Sequence, residues 1–367
     1  MINDVSERTT IIDFLESLGY QSFGLDGDRI FKVYTEIEKE LDSIYSGVGL
    51  RNLSHIGVLE LKGADTIDYL HRITTNDLKN LSREKISKTI FTNEKGRIID
   101  LTTLINFEDF QLLLCNDVHK MKLKNWIQKY LVTDDVKVDD VKSKYSMLEF
   151  LGPQAGSFVS MLCGDVSNSL SVNSFRVVNT EGIIFFILKI EKEDGDLSFI
   201  TISDLNNAQK IINYFLDRNS IFNFSFVGEE AYNIYRIGRG IPSAPNEIND
   251  EYNPHETGLA KYISFTKGCY IGQEVIARLQ TYDKVQKHLA GVILDQQFDM
   301  TLPQIVRNNL NEEVGLLTSA CYSPFHKKQI GLAYIKSAFC NYGSELKINM
   351  IDETQVNLIV SELPFVK

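Results

Sequence analysis

From about His288 to the end of the chain, apolar and polar residues alternate in short segments, and this pattern limits the possible folds more than any other feature. The segments read AGVIL, EVGLLTSAC, QIGLAYI, ELKINMI and QVNLIVSEL. A period of two residues is typical of half-buried strands, and several such strands in succession favour an antiparallel sandwich or barrel. The sequence therefore predicts a separate small C-terminal domain, folded as an antiparallel β-barrel.

Helical and strand patterns alternate in the part of the chain that precedes this domain. Residues 58–61 read as a strand that turns at Gly63 into a helix, and residues 98–105 and 110–115 read as a hairpin. Asp117 follows the hairpin at a position from which it can cap the next helix. The fold class predicted for the whole chain is α+β.

Charge and hydropathy exclude several classes of protein. The chain has 38 Lys and Arg against 49 Asp and Glu, a net charge of −11, which argues against stable binding to nucleic acid or to an anionic membrane surface. Its longest apolar run, residues 183–188, is far too short to span a bilayer, and the N-terminus lacks the pattern of a secretory signal. We therefore expect a cytoplasmic protein.

Cysteine and histidine usage gives no indication of a metal site. The five cysteines are widely spaced without a CxxC pair, and the six histidines include no HExxH and no cluster. The sequence therefore predicts neither a disulfide framework nor a dedicated metal centre.

Cys269 is the most informative single residue. Gly268 and Gly272 let the backbone turn tightly on both sides of it, and a helix is expected to begin just after Gly272. A helix N-terminus and the nearby Lys267 both favour thiolate over thiol. The alternative interpretation, a small buried hydrophobic residue, remains open at this point.

Three further charged residues are candidates for chemistry. Lys267 and Arg278 bracket the turn around Cys269 and could hold an anion such as a ligand carboxylate, although solvated surface charges are the more common role of such residues. Asp100 lies inside an otherwise apolar strand, where it is either an acid or base, a hydrogen-bonded buried group, or an outward-facing residue.

The segment 264–278, SFTKGCYIGQEVIAR, closely resembles the signature of the YgfZ family, which includes mitochondrial relatives in iron–sulfur protein maturation. Other stretches resemble the wider superfamily of the glycine-cleavage T protein, an aminomethyltransferase. They are LSHIG at 53–57, TTND at 74–77, NEKGRIID at 93–100 and NPHETGL at 253–259. The resemblance covers about residues 48 to 340.

This resemblance implies a fold and a ligand. The fold is a three-domain, aminomethyltransferase-like architecture around a central channel. Its expected parts are an N-terminal segment at residues 1–47 that packs on the first domain, a folate-binding region of two interleaved α+β subdomains at 48–284, and the barrel at 285–367. The implied ligand is tetrahydrofolate or a one-carbon derivative of it.

The resemblance also implies site residues. Cys269 and Asp100 are the expected reactive groups. The residues expected to bind the folate are Asn76, Asn116, Tyr235, Glu256, Lys267, Gln273, Glu274 and Arg278.

Two departures from the T protein bear on activity. This chain has Asp100-Leu101 where the T protein typically has two adjacent acids, and Gly238 where an acid that pairs with the amino-pyrimidine edge of the pterin is expected. Both departures favour a folate-binding accessory protein in iron–sulfur cluster assembly or repair, whose partners are client proteins or assembly factors. The alternatives are an aminomethyltransferase of the glycine cleavage system that uses Asp100 as base, and a docking module in which Cys269 is structural.

Overall fold

A computed structural model describes residues 11–24, 29–281, 285–297, 301–349 and 355–365. These residues form a mixed α/β fold of two open sheets and one barrel, as the sequence predicts. The helices are α1 (Ile11–Ser17), α2 (Ile37–Ser46), α3 (Thr66–Ile73), α4 (Asp117–Lys129), α5 (Ala155–Cys163), α6 (Leu205–Leu216), α7 (Glu229–Arg239) and α8 (Gln273–Thr281).

The strands of the two open sheets precede α8. They are β1 (Val48–Asn52), β2 (Ile56–Lys62), β3 (Ile86–Thr92), β4 (Ile98–Asn106), β5 (Gln111–Asn116), β6 (Lys137–Asp140), β7 (Tyr145–Leu151), β8 (Ser174–Thr180), β9 (Ile183–Glu191), β10 (Leu197–Asp204) and β11 (Phe224–Val227). The barrel strands are β12 (Lys287–Leu294), β13 (Gln304–Arg307), β14 (Glu313–Ser323), β15 (Lys328–Lys336), β16 (Glu345–Asn349) and β17 (Gln355–Ser361).

The larger open sheet has six strands in the order β11-β1-β7-β10-β9-β8. The pair β1–β11 is parallel and the other described pairs are antiparallel. Helices α1, α5 and α6 contribute apolar residues to the core on this sheet, and Phe150, Phe158 and Phe215 meet there edge to face. The N-terminal helix α1 therefore packs on the six-stranded unit.

The second open sheet has five antiparallel strands in the order β3-β4-β5-β2-β6. The predicted strand before Gly63 is β2, the helix after it is α3, and the predicted hairpin is β4–β5. Helices α3 and α4 share a buried apolar cluster with this sheet, to which Tyr69, Leu123 and Ile127 contribute. The local apolar periodicity was sufficient to place these elements.

The cap predicted for α4 is wrong. Asp117 is the first residue of the helix and Asn116 occupies the cap position without a side-chain cap hydrogen bond. The carboxylate of Asp117 instead contacts Lys120 at 3.0 Å and Lys142 at 2.8 Å. The Asp117 carboxylate is thus paired with two lysines and not with the backbone N–H groups of the helix.

The C-terminal barrel is closed by the strand order β12-β15-β14-β13-β16-β17, which confirms the alternating pattern. Alternate residues fill its interior, as in β17, where Val356, Leu358 and Val360 are buried and their neighbours point outward. Among the residues that the structure describes, no helix is both long and apolar enough to cross a membrane.

Candidate ligand site

A cavity of about 600 Å³ is here called the central cavity. It lies between β4 of the five-stranded sheet, helix α7 and the polar loop that follows α7. The lining residues used below are Lys32, Arg51, His55, Leu101, Asn116, Glu193, Glu229, Tyr232, Arg236, Ile241 and Ile248. The loop that follows α7 therefore forms part of a wall of this cavity.

Arg51 organises one side of the cavity. Its Nη2 and Nε donate to the Glu229 carboxylate at 2.8 and 3.1 Å, its Nη1 lies 3.5 Å from Glu149, and its guanidinium lies 3.4 Å from the centre of the Tyr232 ring. Burial alone would raise the pKa of Glu229, but Arg51 and His55 hold this pKa below its ordinary value. This wall is therefore a pre-formed, charged surface.

Glu193, in the turn after β9, places a second carboxylate on the cavity wall. It pairs with Lys88, whose charge lowers the pKa of Glu193 against the opposing effect of burial. Gly238 stands where the T protein has an acid, which suggested that the site lacks a carboxylate. Glu193, in the turn between β9 and β10, nevertheless provides one. A buried carboxylate of this kind accepts hydrogen bonds from an amidine-like edge of a ligand.

Strand β4 presents Leu101 to the cavity and turns Asp100 away from it. Successive side chains of a strand point to opposite faces, and Leu101 and Thr103 both line the cavity. Asp100 is fully buried and accepts hydrogen bonds from the backbone N–H and the side-chain amide of Asn116 at 2.9 and 2.6 Å. Its carboxylate also lies 3.2 Å from Nδ1 of His119. Asp100 is thus a hydrogen-bonded group behind the wall.

Of the eight residues expected to bind folate, Asn116 lines the central cavity. Tyr235 lines a second cavity of about 570 Å³ beside α2 and α5, and Asn76 lines a smaller one of about 280 Å³ beside β3. Glu256 accepts hydrogen bonds from Arg97 and from the backbone of Asn253, both at 2.9 Å. The structure therefore does not bring these four residues together.

Lys267 has a different role from the predicted anion contact. Its ammonium donates to the backbone carbonyls of His71, Thr74 and Asn76, at and just beyond the C-terminal end of α3. Burial lowers the pKa of Lys267 to about 8. All three donors of this ammonium are committed, so Lys267 anchors the loop that carries Cys269 and is not free to bind a ligand.

The remaining three predicted residues belong to α8, which begins at Gln273, directly after Gly272 as expected. Glu274 and Arg278 are exposed and Gln273 is half-buried. None of the three is among the residues that line the central cavity. They form an outer surface next to the Cys269 turn.

Cys269 is exposed, which excludes the interpretation of a small buried hydrophobic residue. The turn is held against the β3–β4 hairpin because Gly272, with φ +83°, approaches Asn93 so closely that a Cβ would lie 2.5 Å from its carbonyl oxygen. The thiol is not among the groups that line the central cavity. The structure thus separates the thiol from the cavity.

Sequence reasoning missed the charged residues that dominate the cavity: Arg51, Glu193, Glu229 and Arg236. Each belongs to a pair whose partners are distant in sequence or come from different elements. Isolated charged residues of this kind belong to no recognisable sequence motif. Their burial, which is visible only in the folded protein, is what identifies them as candidates. Within the described residues no group of three or more His, Cys, Asp or Glu is arranged to hold a metal ion.

Comparison with known proteins defines the class to which this fold and site belong. The family model "GCVT N-terminal domain" matches residues 18–267, and "Glycine cleavage T-protein C-terminal barrel domain" matches residues 287–367. The chain therefore belongs to the glycine cleavage T-protein family.

Curated relatives are distant in sequence but similar over most of their length. An Arabidopsis thaliana chloroplastic protein named as a transferase is 26% identical over 96% of this chain and 79% of its own. An aminomethyltransferase from Caldanaerobacter subterraneus is 25% identical over 86% of this chain and 84% of its own.

A solved structure, the glycine cleavage system aminomethyltransferase T from Bartonella henselae, is similar in fold. It superimposes with a TM-score of 0.83 at 18% identity, covering 97% of both chains. This similarity extends through both open sheets and the barrel.

Proposed function

We propose that this protein binds tetrahydrofolate in the central cavity and acts as an accessory protein in iron–sulfur cluster assembly or repair, without transferring an aminomethyl group. The observation that carries the proposal is the pair Asp100 and Leu101. The cavity-facing position of β4 is apolar, and the adjacent acid is turned away and held by Asn116. The hairpin therefore offers a folate no carboxylate that can accept a proton.

The rest of the cavity suits a reduced folate. Leu101, Ile241 and Ile248 provide apolar walls for a flat ring, and Glu193 provides a carboxylate for an amino-pyrimidine edge. Lys32 also lines the cavity and supplies a cation for an anionic ligand tail. These features support the binding of a reduced folate and do not require that the protein catalyse a reaction of it.

The exposed thiol supports the iron–sulfur part of the proposal. Cys269 lies on an anchored, glycine-flanked turn on the outside of the protein, where a partner protein can reach it. One thiolate cannot hold a cluster alone, because bound clusters normally need about four Cys or His ligands. In this proposal Cys269 serves transiently as one ligand that is shared with a client protein.

Two measurements test the two parts separately. A thermal-shift titration with tetrahydrofolate should raise the apparent melting temperature of the purified protein, because a ligand of the native state stabilises it by mass action. In cells that lack the protein, Cys269→Ala should fail to restore the activity of iron–sulfur enzymes, whereas Cys340→Ala, a half-buried cysteine of the barrel region, should restore it. No shift at millimolar ligand, or full rescue by Cys269→Ala, contradicts the corresponding part.

The second candidate function is aminomethyl transfer, which the names of several relatives favour. An assay with an aminomethyl-loaded carrier protein distinguishes it. We expect no folate-dependent release of ammonia above the background without enzyme. Sustained turnover by the wild-type protein would instead favour aminomethyl transfer, with Asp100 as the candidate base despite its burial.

A further inference from the structure

A cavity apart from the proposed folate site has polar groups of its own. It is the second cavity of about 570 Å³, which Tyr235 lines, and it is here called the α5 cavity. It lies between α2, the start of α5, the C-terminal half of α7 and the turn between β9 and β10. None of the described residues that line it also lines the central cavity, so the two cavities are separate places for a ligand.

Two tyrosine hydroxyls on the wall of the α5 cavity lack a partner. Tyr235 is only 5% exposed and Tyr45 is half-buried, and neither hydroxyl makes a hydrogen bond within the part of the chain that the structure describes. Their rings meet edge to face with centres 5.7 Å apart. Burial raises the pKa of both phenols, to about 12 for Tyr45, so both keep their protons at neutral pH. Since buried polar groups are nearly always paired, these two donors indicate an acceptor that the described chain does not supply.

Lys189 adds a cation without a counter-charge. Its side chain on β9 is half-buried, its ammonium lies 5.8 Å from the centre of the Phe199 ring, and it forms no ion pair within the described ranges. The other charged residues on the wall are Arg239 and Asp196, which pair with each other at 2.9 Å. The wall therefore carries a positive charge that its own acid does not balance.

The first turn of α5 and a set of apolar side chains complete the wall. Gly156 lines the cavity, and a Cβ built on it would lie 3.7 Å from the Phe199 ring, the same ring that Lys189 approaches. The positive end of the α5 dipole thus adds to the charge of Lys189. The apolar residues of the wall are Ile44, Leu151, Pro153, Leu197 and Phe199. They suit the body of a ligand whose charged end meets the donors.

We propose that the α5 cavity is a second ligand site, which takes an organic anion with a flat apolar body. The phosphate or carboxylate of this ligand accepts from Lys189, Tyr45 and Tyr235, and its body packs against Leu197 and Phe199. An anion fits because the polar side chains of the wall that lack a partner are donors and include a cation. The inference goes beyond folate binding and does not depend on it.

Three probes with the same ring test the choice of ligand: phenyl phosphate, benzoate and benzyl alcohol. Each is titrated calorimetrically into the full chain, with and without tetrahydrofolate. Because hydrogen bonds to a charged group are stronger than neutral ones, at least one of the two anions should bind at least about tenfold more tightly than benzyl alcohol. The tighter anion then identifies the ligand as a phosphate ester or a carboxylate. Equal affinity for all three probes, or no binding of either anion, overturns the inference.

Variants show whether the anion occupies the α5 cavity. The affinity for the tighter anion should fall about tenfold in Lys189→Met and about threefold or more in Tyr235→Phe, which keeps the ring and removes the donor. Lys347→Met is the matched control, because Lys347 is also a half-buried strand lysine but belongs to β16 of the barrel and does not line the cavity. It should bind the anion as wild type does. If Lys189→Met does not fold, Lys189→Gln removes the charge, keeps a donor and should show a smaller loss.

The possible failures are distinguishable. Anion binding that is unchanged in both Lys189→Met and Tyr235→Phe overturns the inference. Anion binding that tetrahydrofolate abolishes and these variants leave unchanged places the probe in the central cavity, which overturns it as well. If tetrahydrofolate does not bind but the variants weaken anion binding as expected, the α5 cavity is supported and only the proposed function fails.

Discussion

The side-chain amide of Asn116 donates to the carboxylate of Asp100 at 2.6 Å, and the backbone N–H of Asn116 donates to the same carboxylate at 2.9 Å. Asn116 itself lines the central cavity, so Asp100, which does not, holds a residue of the cavity wall in place. The strand neighbour of Asp100, Leu101, lines the central cavity itself. Two consecutive residues of β4 thus have different roles: Asp100 holds Asn116 in place, and Leu101 provides an apolar part of the cavity wall.

Asp100→Asn should destabilise the protein by about 2 kcal/mol, because an amide replaces an acceptor that two donors of Asn116 require in a buried place. Urea unfolding measures this loss, with Asp109→Asn in the exposed β4–β5 turn as the control expected to be neutral. A loss below about 0.5 kcal/mol, the usual range for surface changes, would show that the Asp100–Asn116 contact contributes little.

Arg51→Met should destabilise the protein by about 3 kcal/mol, because it leaves the buried Glu149 and the half-buried Glu229 without their cation. Arg51→Lys should recover only part of this, since an ammonium cannot reproduce the bidentate contact with Glu229 or the stacking on Tyr232. Equilibrium unfolding of the three proteins provides the comparison. Equal stability of the Met and Lys variants would contradict this account.

Glu229 makes the stability of the cavity wall depend on pH. Its pKa in the folded protein is below the ordinary value of 4.5, so the native state binds its proton less readily than the unfolded state. Its contribution is complete above about pH 4.5 and is lost as the pH falls through the lower folded pKa. The difference in unfolding free energy between wild type and Glu229→Gln should therefore shrink below pH 4.5; a constant difference from pH 7 to pH 3 is incompatible with the pairing.

Alkylation of the native protein should modify one cysteine rapidly. Cys269 is exposed, whereas burial raises the pKa of Cys163 and Cys321 to about 12 and raises the pKa of Cys115 and Cys340 as well. Mass spectrometry after brief exposure to iodoacetamide should locate the label on Cys269, and Cys269→Ala should abolish the fast phase. Rapid labelling at any other cysteine would show that the loop or core around it opens.

Lys267→Met should loosen the Cys269 turn, because three backbone carbonyls near the end of α3 lose their shared donor. Hydrogen exchange should rise in residues 263–272 and in the last turn of α3, with the barrel unchanged. Uniform exchange throughout the molecule would indicate global destabilisation instead of a local anchor.

The sequence was informative where structure depends on neighbours in the chain. Alternation predicted the barrel strands, and Gly272 marked the start of α8, because period, turn and helix start are local properties. The cavity was not predictable in this way. Arg51 and Glu229 are 178 residues apart, and Lys88 and Glu193 are 105 apart, so only the folded chain brings them together.

The resemblance indicated the T-protein superfamily, and the site residues that it implies do not all line one cavity. It is strongest around Cys269, and the predicted folate contacts Gln273, Glu274 and Arg278 were placed there, whereas the central cavity lies beside α7. A motif identifies a family without specifying which cavity its residues face. Lys267 illustrates the point, since its side chain serves the backbone of α3.

The crystal structure of the protein soaked with tetrahydrofolate tests the central claim most directly. We predict density for a pteridine in the central cavity, with its amino-pyrimidine edge on Glu193 and its ring against Leu101. Density for the ligand at another place, or an unliganded central cavity at saturating tetrahydrofolate, would contradict the account.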